Sequence, residues 1–340
     1  MSGTRFWIGA STVGALGSAA RGVRPLEVAD DGSAVLGEPI DVGPNPMFLA
    51  QRGDIVAIVH ELADGLVSTW RAGDETLAPL AAPAPTGAAD PCHVAFDATG
   101  AFVLAANYSG SRVSAHRVGD DADAALVSAI DFTGHGPRAD RQEAPHPHQV
   151  VLDPARDRVL VPDLGADRVR VLRLDADGRL GHEASADLLL HPGAGPRHLV
   201  VVDDVAIVAN ELDRTVSVVD LASGIEVATA PLGPDVTPRG LGASTIRMTR
   251  GGVVLVGDRD LDGVQALRYE ASDRSLMHIG SLATGGRHPR DLELTADERH
   301  LVVADQGSDS LAILALDATG VPERVVATLP TEAPACVLRA

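Results

Sequence analysis

The sequence predicts an all-β chain: a seven-bladed β-propeller with four antiparallel strands per blade. Three observations predict it. A unit of roughly 48 residues recurs, its apolar residues alternate with period two, and the last copy stops after one strand. The units start near Pro46, Pro91, Pro147, Pro196, Ser244, Pro289 and Pro334, at spacings of 45, 56, 49, 48, 45 and 45. The clearest copy, residues 147–175, reads PHQVVLDPARDRVLVPDLGADRVRVLRLD. It gives an apolar strand, an Asp-rich turn, the strand RVLVPD, a turn with Gly165, and the strand RVRVLRLD. Residues 289–317, 196–221 and 91–118 repeat it, and fainter copies start at Pro46 and Ser244. Turns of the types Asp-x-x-Gly, Gly-Ala-Asp and Gly-Ser-Asp separate the strands. A helical repeat of similar period needs amphipathic runs of ten or more residues, and the sequence has none. The last unit holds only PACVLRA. RFWIGAST and the RGVRPLEV region can supply its remaining strands, so both termini are expected to share the closing blade. No linker marks a boundary, so residues 1–340 are read as one domain, with long inserts at 119–145 and 222–243.

Composition excludes several functions. Forty-seven acidic residues against 28 basic ones give a formal charge of −19, which disfavours nucleic acid and anionic membranes as partners. All 28 basic residues are arginine. The absence of lysine removes a Walker A lysine, a lysine Schiff base and pyridoxal chemistry of the usual kind. Fixed positive charge in a site must then come from arginine, helped by protonated histidine. No run of 18 uncharged apolar residues predicts a transmembrane helix, and the N-terminus lacks the pattern of a signal peptide. Two cysteines, Cys92 and Cys336, are too few for a disulfide framework or a thiolate zinc site. A reduced, cytoplasmic location is expected.

In an antiparallel blade with strands A to D, the start of A and the B–C turn lie on one side. The A starts carry His146 and His148 (third unit), Arg197 and His198 (fourth), Arg247 (fifth), and Arg290 with Asp291 (sixth). The B–C turns carry Asn107 and Tyr108, Asp163, Asn210 and Glu211, Asp258 and Arg259, and Asp305 with Gln306. Histidine, arginine and carboxylates thus gather on one rim, while the A–B turns read as solvated. A plainer reading competes, since polar residues end strands where loops meet water and the recurring Asp can cap turns. Arg197, Arg247 and Arg290 in successive units resist that reading, because clustered guanidinium groups repel unless carboxylates or an anionic ligand compensate. Cys92 and Cys336 read as small apolar strand residues, and Tyr108 and Trp7 as rim packing.

With these residues in view, the chain resembles the seven-bladed lactonase family, which includes propeller-type 6-phosphogluconolactonases and carboxy-cis,cis-muconate lactonizing enzymes. The most specific match is DRQEAPHPHQVVLDPARDRVLVPDLGADRVRVLRLD, residues 140–175. DPCHVAFD with AANYSG, GAGPRHLV with VANELDRTVSVV, and GRHPRDLELT with VVADQGSDSLAIL extend it along the chain. The fifth unit departs, reading Ala243-Ser244-Thr245-Ile246-Arg247 where the family more often has an acidic or amide residue before Ile-Arg. The resemblance implies a catalytic set of His148, Arg197, Glu211 and Arg247.

Opening a lactone needs an activated water, positive charge for the developing oxyanion, and a hold on the substrate. Histidine suits the first task and arginine the other two. His148 is the expected base, and Arg197 and Arg247 the expected oxyanion and anion contacts. Glu211 is expected to orient an arginine or the histidine. His146, His198, Arg290, Asp163 and Asn107 are expected to hold substrate. The expected ligand is a small anionic lactone or carboxylate. No cofactor or metal is implied, since dense arginine repels a cation. Two alternatives stand beside lactone hydrolysis: a carboxymuconate-type lactonizing enzyme, and a non-catalytic propeller used as a binding scaffold.

Overall fold

The computed structural model describes residues 3–14, 20–118, 123–234 and 239–340. Parts of the inserts at 119–145 and 222–243 therefore lie outside the described residues. Strands form seven sheets, each a propeller blade with four antiparallel strands in the sequential order A-B-C-D. Two blades add a short fifth strand. The blades are numbered by the units above. The seventh combines Gly3–Ala10, Arg24–Ala29 and Ala34–Leu36 with Pro334–Arg339, so its strands come from both ends of the chain as the sequence predicts.

Contacts group the chain into two compact units. One holds residues 42–197 and 221–225 and contains the first, second and third blades. The other holds 1–41, 198–220 and 226–340 and contains the seventh, fourth, fifth and sixth.

Within each unit the core follows from strand position. The B strands Phe102–Asn107, Val205–Asn210, Val253–Asp258 and His300–Asp305 are buried along their whole length. Such strands are covered on both faces, which is why they read as continuous apolar runs. The outer D strands, such as Ala125–Asp131, alternate between exposed and half-buried residues. In the first unit, Leu104, Val113, Val150, Val161 and Leu172 form one core cluster. In the second, Val253, Leu255, Leu292, Leu301 and Leu314 form another. Each such side chain contributes about 1.5–3 kcal/mol of transfer free energy when fully buried.

One feature of the A strands is invisible to period-two reading. Pro91 faces Asn107 but His93 faces Ala106, so Cys92 is an extra residue in strand A. The same one-residue excess occurs at Pro46/His60, Pro147/Asp163, Ala243/Asp258, Pro289/Asp305 and Pro334/Ala10. A bulge unpairs one residue and re-aims its neighbours. Here it does so where the A strands carry Cys92, Thr245 and Arg290.

The turn aspartates act as the plainer reading expects. Asp167, Asp262 and Asp309 occupy left-handed positions just before strand C. Their carboxylates accept backbone N–H bonds from Gly193 and Gly195, from His288, and from Ala333. Each one fixes the chain where it enters the following blade.

Candidate active site

The polar residues that end the B strands turn into their own blade. Asn107, Asp163, Asn210 and Asp258 are fully buried. Asn107 Nδ2 donates to Ser114 Oγ at 3.4 Å and to two backbone carbonyls. Asp163 receives the Arg170 guanidinium at 2.8 Å, Asn210 meets Ser217 at 2.7 Å, and Asp258 meets Gln265 at 3.2 Å. Each pair joins the last residue of strand B to strand C on a diagonal, seven residues on. This corrects the expectation that Asp163 holds substrate, since its carboxylate is engaged inside the sheet; the Asn107 amide nitrogen is engaged there too, while its Oδ1 is buried with no hydrogen-bond partner. Burial pushes the Asp163 carboxyl up, and Arg170 and the His146 N–H offset part of that.

In the unit of the first three blades, the expected histidines come together around Tyr108. The His146 ring stacks on Tyr108 at 4.3 Å, and the His148 ring meets the same phenol edge-on at 5.5 Å. Both histidines are buried, with 6% and 7% of their surface exposed. His146 is anchored by its backbone N–H on Asp163, by Nδ1 against the Tyr108 carbonyl at 3.1 Å, and by Nε2 against Glu143 at 3.2 Å. The His148 backbone N–H donates to Pro162 at 2.9 Å, and Cys92 Sγ lies 3.8 Å from its Nδ1. Tyr108 and Cys92 thus contact the His148 imidazole, while the Pro162 carbonyl holds its backbone. Arg197, the oxyanion candidate, is 2% exposed at the start of the fourth A strand. Gly165 explains the tight local fold: a Cβ there would sit 1.8 Å from the Ala144 carbonyl oxygen and 3.0 Å from the His146 ring.

The other unit holds the remaining candidates. Glu211 is 5% exposed and pairs with Arg259 at 2.7 Å, so it orients an arginine, one the sequence had placed only on the rim. Gly242 is indispensable beside it, because its φ is +65° and a Cβ would lie 1.7 Å from the Glu211 carbonyl oxygen. Arg247 differs from expectation. It lies four residues into strand A, and its guanidinium is engaged: Nε donates to Glu293 at 2.7 Å, and Nη1 to Thr245 Oγ1 and the Ile246 carbonyl at 3.0 and 2.9 Å. Nη2 faces Asp291 at 3.5 Å. Burial opposes the charge of Arg247, but Glu293 and Asp291 outweigh it and hold the group above its ordinary range. Burial also pushes Asp291 up, despite Arg247 and the Val337 N–H. Two carboxylates against one cation make a poor anion site, so Arg247 is a supporting residue and not the expected anion contact. His198 is 3% exposed, with Nδ1 against Thr245 Oγ1 at 3.2 Å. Arg290 is half-buried at the bulge.

Tyr108, Cys92, Glu143, Thr245 and Glu293 are contacts that the sequence reading missed or read as packing, and Arg259 was placed on the rim without a role. Among the described residues, no group of three or more His, Cys, Asp or Glu is placed to hold a metal ion.

The sequence matches the family model described as "Lactonase, 7-bladed beta-propeller" over residues 5–339. It is 31% identical over 258 residues to a 6-phosphogluconolactonase of Bacillus subtilis (strain 168), covering 73% of this chain and 72% of that protein. It is 28% identical over 291 residues to a 6-phosphogluconolactonase of Yersinia pestis (strain Pestoides F), covering 82% and 80%. A crystal structure of a protein from Lactobacillus plantarum superposes with a TM-score of 0.91 at 25% identity, covering 100% of both chains.

Proposed function

Because this chain belongs to the seven-bladed β-propeller lactonase family, we propose that it hydrolyses an anionic sugar lactone of the 6-phosphogluconolactone class. The observation that carries the reading is the His148 site. The segment around it, residues 140–175, carries the resemblance to the family, and the imidazole is buried against Tyr108 and Cys92.

His148 takes a proton from water as the oxygen attacks the lactone carbonyl. The carbonyl oxygen gains negative charge, and Arg197 stabilises it with a permanently charged donor. The oxyanion then collapses, the ring C–O bond breaks, and the ring oxygen leaves as a hydroxyl with the proton that His148 returns. The Tyr108–His146–Glu143 group holds the segment that carries His148. The lack of lysine leaves arginine and histidine as the groups that can answer a substrate phosphate. Neither cysteine is part of a disulfide, in keeping with a reduced, cytoplasmic setting.

The test is a lactone panel, phosphorylated and plain, assayed with and without a chelator. Opening of 6-phosphogluconolactone well above the buffer rate, unaffected by chelator, is expected. Rates no faster than buffer across the panel would overturn the reading.

A further inference from the structure

Thr245 is fully buried at the bulge of the fifth A strand. Among the described residues its hydroxyl has two polar neighbours: Arg247 Nη1 at 3.0 Å and His198 Nδ1 at 3.2 Å. A guanidinium only donates, so the Thr245 oxygen accepts from Arg247. The hydroxyl proton then has one acceptor in reach, His198 Nδ1. A ring proton on Nδ1 would leave the buried hydroxyl proton without a partner, which interiors avoid. The source of the relay is fixed, because Glu293 and Asp291 face Nε and Nη2 of Arg247 and the Ile246 carbonyl also accepts from Nη1.

We propose that Thr245 is a positioning residue that fixes His198 as the tautomer protonated at Nε2. His198 is then a hydrogen-bond donor at its outer nitrogen and not a base.

The experiment uses the full chain labelled with nitrogen-15 at histidine, and long-range proton–nitrogen spectra at neutral pH. The signal is assigned with His198→Gln, or, where that variant fails to fold, as the ring whose pattern changes in Thr245→Val. In the native protein, His198 is expected to carry its proton on Nε2. Thr245→Val removes the hydroxyl at constant shape and is expected to move the ring towards the Nδ1-protonated form, and Thr245→Ser to restore it. A native ring protonated at Nδ1, or an unchanged pattern in Thr245→Val, would overturn the inference. A native protein that opens no lactone but shows the expected tautomer shift would sink the proposed function and leave the positioning role standing.

Discussion

Asp305 ends strand B of the sixth blade, where the diagonal partner is missing. His60, Asn107, Asn210 and Asp258 meet Ser68, Ser114, Ser217 and Gln265 in strand C. The equivalent residue here is Ala312, opposite Val303. One Asp305 oxygen accepts from Thr284 at 2.8 Å, and the other is buried with no hydrogen-bond partner. Burial pushes the carboxyl up to about 7, and the charge of Asp262 adds to this while Thr284 opposes it. The folded chain therefore holds a proton that the unfolded chain releases near pH 4. Stability from this group is complete at low pH and is lost as the pH rises towards 7. Between pH 5 and pH 8.5 the loss is about 2.7 kcal/mol, from ~1.36 kcal/mol per unit of pH up to the folded value. Ala312→Ser supplies the hydroxyl that the first, second and fourth blades have. A hydrogen bond to a charged group contributes about 1.5–3 kcal/mol, so this variant should gain roughly that much at pH 8.5 and far less at pH 5. Urea denaturation of the native chain, Ala312→Ser and Asp305→Asn at both pH values measures it. The native-minus-Asp305→Asn difference should change by close to the full 2.7 kcal/mol. A difference that stays flat with pH, or a serine that helps equally at both, would refute the reasoning.

Other perturbations test the remaining interactions. His148→Gln should fold normally and lose about 10²–10⁴ in kcat, the usual contribution of a positioned base; steady-state kinetics with a melting curve decides it. Arg197→Ala should cost on the order of 100-fold in turnover if it meets the oxyanion. Arg247→Ala leaves Asp291 and Glu293 facing one another, and should cost about 3 kcal/mol of stability, the low end for a broken buried pair because a 20% exposed side chain is partly screened. Denaturation that finds Arg247→Ala as stable as the native chain would show the pairs to be idle. Gly242→Ala should lower Tm by several degrees, since its Cβ would collide with the Glu211 backbone.

The blades were legible because their period, turn residues and broken last unit are properties of the chain alone. That Tyr108, at a B–C turn, and His146 and His148, at the next A start, lie on one side was legible too, since strand direction decides which ends share a side. Two kinds of information were not. The first is the extra residue in six of the A strands. Alternation has no means of marking a bulge, so Thr245 and Cys92 fell between the residues singled out, and Arg247 was placed at a strand start it does not occupy. The second is competition for charge. Three arginines in successive units argue for an anion only if carboxylates are absent, and Glu293, two residues beyond Asp291, takes Arg247 instead. A signal for the inward polar residues was nonetheless present. Asn107 and Ser114, Asp163 and Arg170, Asn210 and Ser217, and Asp258 and Gln265 all stand seven apart, the offset at which strand B returns diagonally as strand C. A polar residue with such a partner is taken up by its own sheet. Asp305, whose partner position is alanine, is left to titrate, and Tyr108 and Glu211, one step beyond that position, are the residues that reach the histidine and the arginine.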